Sequence, residues 1–64
     1  MNKEQIEKMD PFMLLSIINM KLRDQYSSLQ DYCEDLDVGI TLLTSKLESA
    51  GYKYSEEKNQ FTAV

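Results

Sequence analysis

Apolar residues recur with a helical period up to about residue 50 and alternate after it, so the chain divides into helices followed by a hairpin. Asp10-Pro11 reads as a helix start: the carboxylate of Asp10 suits an N-cap and Pro11 suits the first helical position. No glycine or proline interrupts Phe12 to Gln25, which predicts a helix of about four turns. Ser28-Leu29-Gln30-Asp31 has the serine-then-acid spacing of a capping box, and Leu29, Tyr32, Cys33 and Leu36 define one face of a short second helix. Asp37-Val38-Gly39 breaks it. Ile40, Leu43, Leu47 and Ala50 predict the inner face of a third helix, with Gly51 as a left-handed C-terminal cap. The alternation of Tyr52-Lys53-Tyr54, a turn from Ser55 to Asn59, and Gln60-Phe61-Thr62 predict two short strands. Asn59 is placed for a positive φ at the end of that turn.

The expected fold is mainly α, a three-helix, helix-turn-helix-like core with a short C-terminal β-hairpin, forming one domain over residues 10–64. Residues 1–9 are charged and lack a strong period, although Ile6 and Met9 are spaced to add a helical turn. They are expected to be a flexible or loosely docked N-terminal segment.

The helix beginning at Pro11 has a second apolar side. At about 100° per residue, Leu14, Leu15, Ile18 and Leu22 gather on one side, and Met13, Ile17 and Met20 lie nearly opposite. Between them runs a polar ridge of Ser16, Asn19 and Arg23, with Asp24 beside it. A helix apolar on two sides is normally enclosed. The rest of the chain offers little material to enclose both, so Met13, Ile17 and Met20 are expected to meet another chain, most simply a second copy across a two-fold axis. The other reading is that residues 1–9 or the hairpin fold over them. For the ridge, one reading makes Asn19 and Arg23 a recognition surface for a carboxylate or phosphate. The other, which we favour, pairs Arg23 with an acid such as Asp24 or Asp31 and uses Asn19 to bond backbone between elements.

Size reinforces the case for association. With 64 residues, of which 42% are hydrophobic, the chain has a globular composition but buries only about 60% of its unfolded surface. Small scaffolds usually need a staple. The lone cysteine, Cys33, has no internal disulfide partner, and no histidine is present for a zinc site. One unpaired cysteine, no visible secretory signal and no long apolar run point to a cytoplasmic protein without a membrane span.

Catalytic and ligand-binding signals are few. Cys33 lies beside Tyr32 and Leu36 on an apolar face and has no histidine as base, so it reads as a small core residue. The acids from Asp31 to Asp37 fail the calcium-loop pattern: counted from Asp35, the sixth position is Ile40 and the twelfth Lys46. No phosphate loop or serine triad is present. The expectation is no enzymatic activity, no catalytic residue, no cofactor and no metal. Tyr52, Tyr54 and Phe61 suit an aromatic platform for a single strand or peptide, but their alternation fits better the inner side of a hairpin covering the helices.

The second and third helices have the layout of a helix-turn-helix. Cys33 occupies the tight contact, Val38 plugs the turn, and the hairpin would be a miniature wing. From Ser27 to Ala50, however, five acids (Asp31, Glu34, Asp35, Asp37 and Glu48) oppose Lys46 alone, and the chain carries a net charge of −4. Phosphate neutralisation supplies most non-specific affinity for nucleic acid, so the isolated protein is not expected to bind it.

Two stretches resemble a known family. Asp10-Pro11-Phe12-Met13-Leu14-Leu15-Ser16, followed by Ile18-Asn19-Met20-Lys21-Leu22-Arg23-Asp24, is similar to the small bacterial family filed as domain of unknown function 4250. So is Gly51-Tyr52-Lys53-Tyr54 with Asn59-Gln60-Phe61. The resemblance spans Asp10 to Phe61 and implies no activity, substrate or partner. It does mark the Asn19–Asp24 ridge and the hairpin residues Tyr52, Tyr54, Asn59, Gln60 and Phe61. From the second apolar face and the missing catalytic chemistry, the expectation is a small non-enzymatic protein-interaction module that self-associates as a homodimer, with another protein as the other candidate partner. The alternative is a helix-turn-helix-like DNA-binding or transcription-related regulator, alone or with a partner that supplies positive charge.

Overall fold

The computed structural model describes residues 1–64 and places four helices ahead of a two-stranded hairpin: α1 (Lys3–Lys8), α2 (Pro11–Asp24), α3 (Leu29–Leu36), α4 (Ile40–Ser49), β1 (Tyr52–Ser55) and β2 (Gln60–Ala63). The helix starts follow from local chemistry. Asp10 accepts from the N–H groups of Phe12 and Met13 at 3.1 and 3.0 Å, with Pro11 at the first helical position. A helix N-terminus leaves its first N–H groups without helical partners; Pro11 has none to satisfy, and Asp10 takes those of the next two residues. At α3 the Asp31 N–H donates to Ser28 Oγ at 3.1 Å, but the Asp31 carboxylate accepts from the Ser27 hydroxyl at 2.6 Å. The expected capping box is therefore one-sided.

The turns follow from backbone sterics. Asp37 closes α3 in the left-handed region at φ 59, Gly51 leaves α4 at φ 91, and Asn59 ends the hairpin turn at φ 51. Asn and Asp tolerate that region better than other side-chain-bearing residues. β1 and β2 are antiparallel, with Tyr54 opposite Phe61 and Lys53 opposite Thr62. The sequence pattern predicted both strands and both positive-φ positions at Gly51 and Asn59.

The core gathers Leu14, Ile18 and Leu22 from α2, Leu29, Tyr32 and Cys33 from α3, Leu43 and Leu47 from α4, and Phe61 from β2. Val38 in the α3–α4 turn and Tyr52 and Tyr54 in β1 pack against it. The mainly α architecture with a C-terminal hairpin is as expected from the sequence.

Two expectations need correction. Residues 1–9 are not a loose tail: Lys3–Lys8 form α1, and its Ile6 is fully buried (0% exposed) in the core. A capping box explains the helix, since Asn2 Oδ1 accepts from the Gln5 N–H at 2.9 Å and the Asn2 N–H donates to Gln5 Oε1 at 3.0 Å. One apolar residue per turn was too little to register as a period, yet it suffices to anchor one turn of helix. Lys46 Nζ adds a bond to the carbonyl of Glu7 at 2.8 Å, tying α1 to α4. The second correction is Ile40, expected on the inner face of α4 but 43% exposed. Leu43 and Leu47 carry that face, and Ile40, at the first position of α4, lies beyond the core they join.

Candidate functional site

The residues singled out by their sequence pattern fall into two places. The hairpin motif and Asn19 meet at one seam, whereas the methionine-bearing side of α2 faces outward from the core.

At the seam, α2 presents Asn19 from its polar ridge to β2. The Phe61 N–H donates to Asn19 Oδ1 at 2.8 Å, and Asn19 Nδ2 donates to the Phe61 carbonyl at 3.1 Å. The amide thus acts as a one-residue substitute for a neighbouring strand. Gln60 Nε2 donates to the Asn19 carbonyl at 3.0 Å. Asn59 Nδ2 donates to the carbonyls of Leu22 and Tyr26 at 3.1 and 2.9 Å, at the end of α2 where carbonyls lack helical partners. The Tyr54 hydroxyl donates to Asn59 Oδ1 at 2.6 Å and accepts from the Leu29 N–H at 3.2 Å. Asn59 and Tyr54 therefore join the C-terminus of α2, the hairpin turn and the N-terminus of α3.

The polar ridge splits. Asn19 bonds backbone between elements, which is the structural role the sequence reading favoured. Arg23 pairs instead with its neighbour Asp24 through Nε and Nη2 at 2.9 and 3.2 Å, and both side chains are largely in solvent. This pairing holds the Asp24 carboxyl below its ordinary range and Arg23 above its own. Ser16 is exposed and takes no part in the seam.

On the other side of α2, Met13 and Met20 are 59% and 46% exposed, and Ile17 is half-buried. Ile17 lines an open groove with Met1, Gln5, Lys8 and Met9. The segment preceding α2 thus covers one flank of this face, leaving the methionine flank bare. Met1 and Met9 line the groove on the covered flank, and Met13 and Met20 stand exposed on the other.

Elsewhere, burial pushes the Cys33 thiol upward, away from the thiolate. Burial does the same to the Tyr32 hydroxyl, and a bond to the Asp35 carboxylate raises that of Tyr26. No three acidic or cysteine side chains converge in a way that would hold a metal ion. Tyr52, Tyr54 and Phe61 lie along the hairpin as the alternation required, with Phe61 buried and the Tyr54 and Phe61 rings 5.5 Å apart. Tyr52 meets Phe12 of α2 edge-on at 6.1 Å.

Sequence reasoning missed the pairing of Tyr54 with Leu29, that of Lys46 with Glu7, and that of Tyr26 with Asp35. Each joins residues whose proximity only the packed helices create, and none carries a spacing signal. No helix is long and apolar enough to cross a membrane. No curated protein and no solved structure matches the chain. A family model does match, over residues 8–61, and it takes in Asn19, the hairpin motif that Asn19 holds and the whole of α2; the chain belongs to the family described as Domain of unknown function (DUF4250).

Proposed function

We propose that this protein is a non-enzymatic interaction module of the cytoplasm that pairs with a second copy through Met13, Ile17 and Met20 on α2. The observation that carries the reading is the exposure of Met13 and Met20 beside half-buried Ile17, on a helix whose opposite side already fills the core. Methionine suits such a surface because its unbranched thioether adapts to irregular partners. Positions 13, 17 and 20 form one stripe along the helix, and two such stripes related by a two-fold axis are self-complementary. A buried, unpaired Cys33 supports a reducing compartment. The DNA-binding alternative has no comparable support, since Lys46, the one basic residue between Ser27 and Ala50, bonds Glu7.

Sedimentation equilibrium at micromolar concentration tests the reading. The expected result is a dimeric mass that falls to the monomer in Met13→Gln/Met20→Gln, with helical circular dichroism retained. A monomeric parent protein, or a double variant of unchanged mass, would overturn it.

A further inference from the structure

The outward edge of β2 is closed at Phe61, whereas the outward edge of β1 has no such contact. Asn19 engages both backbone groups of Phe61 from outside the ladder, so Tyr54 and Phe61 form a non-hydrogen-bonded pair. The Val64 N–H, which donates to the Gly51 carbonyl at 2.9 Å, fits the same alternation. Hydrogen-bonded and open pairs alternate in an antiparallel ladder. The N–H and C=O groups of Tyr52 and Tyr54 therefore point away from β2, and no group of the chain bonds them. On β2, the corresponding groups of Phe61 are occupied by α2.

We infer that the open edge of β1 receives an extended segment of a partner protein, with an acidic side chain opposite Lys53 and an apolar residue next to it, opposite Tyr54. Strand addition of this kind draws affinity from main-chain bonds and specificity from alternate side chains. Lys53 is exposed on the outer side of the hairpin and has no ion pair. A residue directly across from it on an added strand would share that side, and its two neighbours would point to the side of Tyr52 and Tyr54. Beside Tyr54 a cleft of about 310 Å³ is lined by Leu29 and Ile40 together with the polar Ser27, Ser28, Gln30 and Glu56. An apolar side chain entering it would cover Ile40, which the core leaves exposed. A second copy suits the edge poorly. The two-fold register that engages Tyr52 and Tyr54 of both copies sets Lys53 against Lys53, and like charges directly opposite are destabilising.

The test uses the full chain and the end-blocked peptide Ser-Thr-Val-Glu-Val-Thr-Ser, with a counterpart carrying Lys in place of Glu, and reads amide hydrogen exchange by NMR. At millimolar concentration the Glu peptide is expected to slow exchange at Tyr52 and Tyr54 by about tenfold or more, and the Lys peptide much less. Lys53→Glu should reverse that preference. The Met13→Gln/Met20→Gln protein should bind as the parent does, so failure of α2 pairing and failure of this inference are separable. Unchanged exchange, equal response to both peptides, or effects confined to α2 would overturn the inference. So would protection of Tyr52 and Tyr54 without peptide that is lost on dilution, since a second copy would then hold the edge.

Discussion

Asn19 holds Phe61 by both of its backbone polar groups across a sequence separation of 42 residues, at 2.8 Å through Oδ1 and 3.1 Å through Nδ2. A two-stranded hairpin is at best marginally stable alone in water. Here it is fastened to α2 by a side chain that meets the outward-pointing backbone groups of Phe61 in β2.

Asn19→Ala should accordingly destabilise the fold by about 3 kcal/mol, because it removes two bonds and strands a donor and an acceptor in a partly buried seam. Asn19→Asp should also destabilise, since a carboxylate has nothing to donate to the Phe61 carbonyl. Denaturant midpoints of both variants check this. An unchanged midpoint for Asn19→Ala would show that the amide does not fasten the hairpin.

Asn59 combines a positive φ with a bonding hub, and two variants separate the roles. Asn59→Gly keeps the backbone but loses the bonds to Leu22, Tyr26 and Tyr54. Asn59→Ala loses both, so it should be the less stable by about 1 kcal/mol, the scale of left-handed strain. Thermal unfolding of the pair measures the difference, and equal stabilities would remove strain from the account.

Ile6→Ala tests whether α1 belongs to the fold. Truncating a fully buried isoleucine should lower stability by about 2 to 4 kcal/mol. A surface or frayed position would stay within about 0.5 kcal/mol. Chemical denaturation distinguishes the two outcomes.

Stability should decline at alkaline pH. Burial raises the folded pKa of the Cys33 thiol and of the Tyr32 hydroxyl above the ordinary values of those groups. The unfolded chain then loses these protons first as pH rises. The contribution of Cys33 is whole below its unfolded pKa and drains away from there up to the higher folded value; Tyr32 follows in a higher window. Unfolding free energy measured from pH 7 to 11 should be flat at first and then fall, and Cys33→Ser should flatten the earlier part of that fall. Native Cys33 should also resist alkylation until denaturant is added.

The reach of sequence reading differs from residue to residue, and the difference has a physical cause. Asp10, Pro11, Ser28, Gly51 and Asn59 were legible because a cap or a positive φ depends on a few adjacent dihedrals and on hydrogen bonds within one turn. The inner faces of α2 and α3 were legible because burial repeats with the helical period. Ile6 and Ile40 were misjudged because period alone does not say where the core ends. Ile6 reaches it from a six-residue helix, while Ile40 overhangs it from a longer one. In the candidate site, the motif residues were visible as a string, and Asn19 bonds the backbone of another element. Its partner was not visible, since any unpaired backbone amide would satisfy the same side chain.

The amino-acid sequence by itself determined where each main helix begins, where the chain turns, which residues form the bulk of the core, and which family the chain resembles. Those properties arise from short-range sterics, local capping and hydrophobic periodicity. Only the tertiary structure decided that Asn19 engages the backbone of Phe61, that α1 docks through Ile6, and that Ile40 is left exposed in a cleft it shares with Tyr54. Such outcomes depend on which unsatisfied groups and which uncovered apolar atoms packing brings within reach, and no spacing along the chain encodes that distance.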